Sequence, residues 1–164
     1  MSGDDLIRPA ATPAAVAAAR ALFEEYAAAL AVDLCFQGFA QELATLPGAY
    51  APPRGCLLLA GPLEHPAGCV ALRPLPGADA ASTLVGEVKR LYVRPAARGT
   101  GMGGALVRAA IAQARASGYR ELKLDTLASM TAARALYGAL GFRECAAYYH
   151  NPLGGTVYMA LQLT

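Results

Sequence analysis

Residues 87–106 read EVKRLYVRPAARGTGMGGAL. A strand-like stretch ends near Val93, and a Pro-Ala-Ala turn follows. Arg98, Gly99, Thr100, Gly101, Met102, Gly103 and Gly104 then crowd together just ahead of a helical pattern. Glycine at a helix start lowers stability by up to about 1 kcal/mol relative to alanine. Such a cluster therefore implies that backbone approaches something closely. An arginine beside it, with the unpaired N–H groups of a helix start, points to a bound anion and above all to a phosphate.

The rest of the 164-residue chain sets bounds on that ligand. Its length fits one domain, residues 1–164, with a real core. A net charge of +2, with Lys89 and Lys123 the only lysines, is too small to imply nucleic acid as a partner, and no basic run interleaves with aromatics. The acidic opening MSGDDLIRP lacks the apolar region of a secretory signal, and no run is long enough to span a membrane. Cys35, Cys56, Cys69 and Cys145 have no metal-like spacing to one another or to His65 and His150. They read as reduced thiols of a cytoplasmic protein with no metal.

Outward from the central stretch, the elements follow from periodicity. A first strand is expected over Asp5–Pro9. Thr12 caps a helix from Pro13 to Leu30, with Val16, Ala19, Phe23, Tyr26, Ala27 and Leu30 inward. A second helix is expected over Phe36–Leu46. Strands Cys56–Ala60 and Gly68–Arg73 form a hairpin with His65 at its tip, and a strand runs from Thr83 to Val93. Simple alternation puts Glu87 and Lys89 on one face of that strand and Arg90 on the other, a local inconsistency of the kind found at functional sites. The helix after the glycines turns Leu106, Val107, Ala110, Ile111 and Ala114 inward and stops at Ser117-Gly118. Then come a strand over Leu122–Leu127 and a helix capped by Ser129, with Met130, Ala133, Leu136, Tyr137 and Leu140 inward. Two closing strands follow, over Phe142–Tyr149 and Thr156–Leu163.

Three phosphate loops compete for the glycine cluster. A P-loop needs Lys and then Ser or Thr after its last glycine, where this chain has Ala105-Leu106. Gly99, Gly101 and Gly104 match GxGxxG, and Asp125 ends a following strand where a ribose ligand would be sought. However, Arg94–Arg98 separates strand from glycine, and too little chain remains for a doubly wound sheet. The third reading is an R-x-x-G-x-G loop through Arg98, Gly101 and Gly103. Taken with LYVRPAARGTGMG and the downstream ALYGALGF, the chain resembles the GNAT superfamily of acetyl-CoA-dependent N-acetyltransferases over nearly its whole length.

That resemblance implies an α/β fold, with a mixed, mostly antiparallel sheet of about seven strands flanked by four helices. The strands Val85–Val93 and Leu122–Leu127 would splay apart at its centre. It implies acetyl-CoA as co-substrate, held by Arg98 to Gly104 and by the backbone of Leu91, Tyr92 and Val93. It further implies a small-molecule or peptide amine as acceptor, with no nucleic acid or membrane partner, and it allows a homodimer. Tyr137 matches the tyrosine that serves the CoA sulfur, and Glu87 matches a glutamate base. The ordinary alternatives are a core tyrosine for Tyr137 and, for Glu87, a salt bridge to Lys89 or Arg90. An asparagine common in the family seven residues before the tyrosine is Met130 here, so water or backbone replaces its contact or cofactor affinity falls.

The chemistry fits these residue types. An alkylamine with a pKa of about 10.4 is mostly protonated at pH 7, and freeing it costs roughly 4.6 kcal/mol. A carboxylate can accept that proton. A phenol at about 10 is a weaker acid than a thiol at about 8.5, so hydrogen-bond stabilisation of the thiolate is at least as plausible as full donation. The rival class is a non-catalytic acyl-CoA-binding regulatory module that keeps the loop without a competent base. For the acceptor side, Phe36, Gln37, Tyr50, Tyr148, Tyr149 and Asn151 are candidate lining residues.

Overall fold

The computed structural model describes residues 6–30, 34, 38–77 and 84–163. Expectations placed on Asp5, Cys35, Phe36, Gln37 and Thr83 lie outside the described residues. In chain order the elements are β1 (Ile7–Pro9), α1 (Pro13–Leu30), α2 (Phe39–Thr45), β2 (Cys56–Ala60), β3 (Gly68–Pro74) and β4 (Val85–Val93). They continue with α3 (Met102–Ala116), β5 (Glu121–Leu127), α4 (Thr131–Ala139), β6 (Arg143–Cys145) and β7 (Thr156–Gln162). The sheet order is β1-β2-β3-β4-β5-β7-β6, antiparallel at every step except the parallel pair β4/β5. The α/β architecture with seven strands and four helices is the one the sequence led us to expect.

Two apolar layers hold the sheet. On one face α3 and α4 bury Leu58, Val70, Leu72, Val88, Leu122 and Leu124. On the other, α1 and α2 cover Leu57, Leu59, Cys69, Ala71 and Tyr92. Period-two alternation along the strands serves both layers at once, which is why β2 and β3 read as continuous apolar runs. The inward residues expected of α3 are all buried, whereas α1 buries Ala15 and Leu22 beside Ala19 and Phe23. Thr12 caps α1, its hydroxyl accepting from the Ala15 N–H at 3.1 Å. None of the helices among the described residues is long and apolar enough to cross a membrane.

Local geometry revises three expectations. The N-cap position of α4 is Met130, with no side-chain capping bond, rather than Ser129. The strand expected over Phe142–Tyr149 ends at Cys145, because Tyr148 and Tyr149 turn away to bond side chains of β4 and β5. Most consequentially, β4 carries a bulge. Cys69 pairs with Tyr92 and Ala71 with Lys89, so Arg90 and Leu91 together face Val70, and Arg90 has φ 61°. The extra residue resets the alternation. Glu87, Lys89 and Tyr92 register with the α1/α2 face, while Leu91 and Val93 pack with the α3 layer. Glu87 therefore does not share a face with Leu91 and Val93. Nor do the strand's charges split between faces, since the Arg90 side chain also runs to α2.

Candidate active site

β4 and β5 pair only at Val85↔Glu121, Gly86↔Leu122 and Glu87↔Lys123. Beyond that point they part. At the mouth of the gap a cavity of about 580 Å³ falls in the size range of small-molecule sites. It is bordered by Leu91, Tyr92 and Val93 of β4, by Arg98, Gly99 and Gly101 to Gly104, and by Met130, Ala133 and Leu136 at α4. The structure thus brings together nearly all the residues expected around a cofactor. Thr100 is the exception: its hydroxyl donates to the Ala97 carbonyl at 2.6 Å and braces the loop.

The loop's shape follows from its glycines. Gly99 (φ 77°) and Gly101 (φ 85°) are left-handed, a region that side chains strain to enter, and open space lies where a Cβ would project. Gly101 is the N-cap of α3, and the first intrahelical bond runs from the Ala105 N–H to its carbonyl. The N–H groups of Met102, Gly103 and Gly104 therefore have no partner within the helix and lie at its positive end. Arg98 spends its Nε on the Val93 carbonyl at 3.0 Å, leaving its terminal nitrogens without a partner among the described residues. Open backbone donors, a free guanidinium edge and an apolar channel together suit a ligand with a phosphate end and a narrow organic arm.

Deeper in the gap lies a small void of about 40 Å³, bordered by Tyr26, Lys89, Arg90, Asp125, Met130 and Tyr137. Tyr137 is buried with its ring edge-on to Phe142 at 5.7 Å. Its hydroxyl has no hydrogen-bond partner among the described residues, and burial raises the phenol above its usual 10, with the charges of Tyr26 and Asp125 adding to the shift. It therefore remains a protonated donor across the neutral range. Met130, the residue seven positions before Tyr137, takes a weak 3.6 Å contact from the Thr126 hydroxyl to its sulfur.

Glu87 is 1% exposed, and both its oxygens are engaged. Oε1 receives the Arg73 guanidinium at 2.8 Å, and Oε2 accepts from the Tyr148 hydroxyl at 2.7 Å. The ion pair foreseen with Lys89 or Arg90 is thus made with Arg73, directly across the β3/β4 ladder. Arg90 instead forms a bidentate pair with Glu42 of α2 at 2.8 and 3.0 Å.

On the same face a tyrosine cluster closes over β5. Tyr148, Tyr149 and Tyr158 pack with centroids 5.3 to 5.7 Å apart. Tyr149 donates to Asp125 Oδ2 at 2.7 Å, and Asn151 donates to the same oxygen at 3.3 Å. Sequence reading named Tyr148, Tyr149 and Asn151 as lining residues, but it missed Arg73 and weighed Asp125 only as a ribose ligand. No sequence signal links residues 73, 87 and 148. Only the register of β3 on β4 and the fold of the β6–β7 loop do.

Comparison with known proteins agrees with this geometry. Residues 17–142 match the family model described as the acetyltransferase (GNAT) family. An uncharacterised N-acetyltransferase of Schizosaccharomyces pombe is 40% identical over 144 residues, covering 87% of this chain and 85% of the relative. A GNAT-family acetyltransferase structure from Staphylococcus aureus superposes with a TM-score of 0.75 at 17% identity, covering 96% of this chain and 98% of its own. A Salmonella typhimurium protein solved with its cofactor acetyl-CoA superposes at 0.68 with 22% identity, covering 96% and 93%. With its parted central strands, left-handed glycine loop and family match over most of its length, the chain belongs to the GNAT family of acetyltransferases and is an acyltransferase enzyme.

Proposed function

We propose that this enzyme moves an acetyl group from acetyl-CoA directly to a primary amine of a small molecule or peptide, with no covalent enzyme intermediate. The observation that carries the reading is the gap between β4 and β5. The loop cavity lies at its mouth, and a small void bordered by Tyr26, Asp125 and Tyr137 lies deeper in it. Acetyl-CoA supplies a thioester whose carbonyl is open to attack by a neutral amine. Gly99, Gly101 and the N–H groups of Met102 to Gly104, with Arg98, hold the phosphates. Leu91, Tyr92 and Val93 flank the arm. Tyr137 offers an O–H to the sulfur; because burial raises its pKa, hydrogen bonding outweighs full proton donation. The free thiols of Cys56, Cys69 and Cys145 support a cytoplasmic setting.

The test is CoA release by the purified protein across a panel of amines, with acetyl-CoA affinity measured in parallel. We expect turnover with at least one amine class and a roughly 10- to 100-fold lower kcat in Tyr137→Phe at near-constant KM for acetyl-CoA. Tight acetyl-CoA binding without release above the hydrolysis background would favour a binding module instead.

A further inference from the structure

An acceptor amine that arrives as its ammonium must lose a proton before its nitrogen can attack, and two carboxylates stand on the α1/α2 face of the parted strands. Glu87 is fully committed, with Arg73 on one oxygen and Tyr148 on the other, and it borders neither the loop cavity nor the void in the gap. Asp125 differs on both counts. It borders the void together with Tyr137. Its Oδ2 is tethered by Tyr149 and Asn151, while Oδ1 has no partner among the described residues. Tyr149 is itself fixed, since its carbonyl accepts from the Tyr158 hydroxyl at 2.9 Å and its own hydroxyl accepts from Asn151 at 3.0 Å. The carboxylate is therefore oriented by one oxygen and, among the described residues, unpartnered at the other, the arrangement a proton acceptor needs.

We propose that Asp125, rather than Glu87, takes the acceptor's proton, with Tyr149 and Asn151 as positioning residues. The proposal rests on the acetyltransferase reading. Asp125 Oδ1 accepts one proton from the ammonium, and the freed nitrogen lone pair forms the C–N bond as the C–S bond breaks. The second nitrogen proton ends on the departing sulfur, so amide, thiol and a protonated Asp125 result, and Asp125 then returns its proton to water. Glu87 becomes the residue that holds Arg73 and Tyr148 in place. Among the described residues, the groups facing Asp125 are Lys89 and Arg90 from β4, Tyr26 from α1, Tyr137 from α4, Tyr148 and Tyr149 from the loop and its cross-strand neighbour Tyr158. The gap's small volume favours a slim primary amine over a bulky one.

The experiment compares pH–rate profiles of wild type, Asp125→Asn, Glu87→Gln and Tyr149→Phe, using an amine that the wild type turns over. Acetyl-CoA affinity by calorimetry serves as the control. Asp125→Asn is expected to lose about 100-fold or more in kcat/KM for the amine at pH 7. Its rate should climb about tenfold per pH unit toward the amine's pKa, where the wild type is flat, because only the free amine can then react. Glu87→Gln should keep the flat profile whatever its activity, Tyr149→Phe should lower kcat without adding a slope, and acetyl-CoA affinity should stay within about twofold throughout. A flat profile in Asp125→Asn, or the slope appearing in Glu87→Gln instead, would overturn the proposal. If Asp125→Asn does not fold, Asp125→Glu should restore the flat profile, and a sloped one there counts against it. Loss of acetyl-CoA binding in Asp125→Asn would also refute the assignment, by placing the residue at the cofactor. A wild type that releases no CoA with any amine would sink the acetyltransferase reading itself.

Discussion

Gly101 carries the most information per residue. Its left-handed φ of 85° excludes easy substitution, yet nothing lies within 4 Å of the position a Cβ would take. Two variants therefore separate backbone strain from ligand binding. Gly101→Ala should cost about 1–2 kcal/mol of stability from the left-handed conformation alone and leave acetyl-CoA affinity within a few-fold. Gly101→Glu should lose at least about 100-fold in affinity, because bulk and negative charge enter the phosphate's place. Equal affinity of the two variants by calorimetry would mean the loop holds something other than phosphate.

Among elements, α2 is tied to β4, and α1 to the residue that follows β4, by ion pairs that look alike on paper and differ in strength. The Arg90–Glu42 pair is nearly dry, with side chains 2% and 11% exposed, and Arg90 lies over the Phe39 ring at 5.0 Å. Glu42→Ala would strand a buried guanidinium, a loss of about 3–5 kcal/mol. The Arg94–Glu25 pair is open to solvent, at 32% and 40%, so Glu25→Ala should cost at most about 1 kcal/mol. Urea titration of both variants checks the ordering. The Arg94 hydrogen bond holds the Glu25 carboxyl below its ordinary value of 4.5. A lowered folded-state value means that this pair's contribution is fully present above about 4.5 and fades as pH falls through the folded value.

For the whole molecule, the consequence is a sheet that is complete on one side of its middle and divided on the other. β3 pairs β4 along its length, whereas β5 leaves β4 after Glu87↔Lys123. A ligand arm in the gap would supply the missing partner to β4 and bridge it to α3 and α4. Saturating acetyl-CoA should therefore slow amide hydrogen exchange at residues 91–93 and 99–104 while leaving β1 and β2 unchanged. Uniform slowing across the sheet would indicate general stabilisation without docking in the gap.

Helix and strand order, the α3 inner face, the Thr12 cap, the glycine loop and the inward placement of Tyr137 were all legible in the sequence, because each depends on local periodicity or on residues close in the chain. The side-chain partners of Glu87 and Asp125 were not. One extra residue at Arg90 inverted the alternation of β4, and sequence parity alone cannot reveal a bulge. Arg73, Glu87 and Tyr148 meet across 14 and 61 residues of chain, and Tyr149 reaches Asp125 across 24. The sequence by itself determined the glycine loop, whose left-handed turns and helix start follow from residues adjacent in the chain. Only the tertiary structure decided that Glu87 has both oxygens engaged while Asp125 has one oxygen without a partner among the described residues, since that depends on strand register and on how the β6–β7 loop folds back.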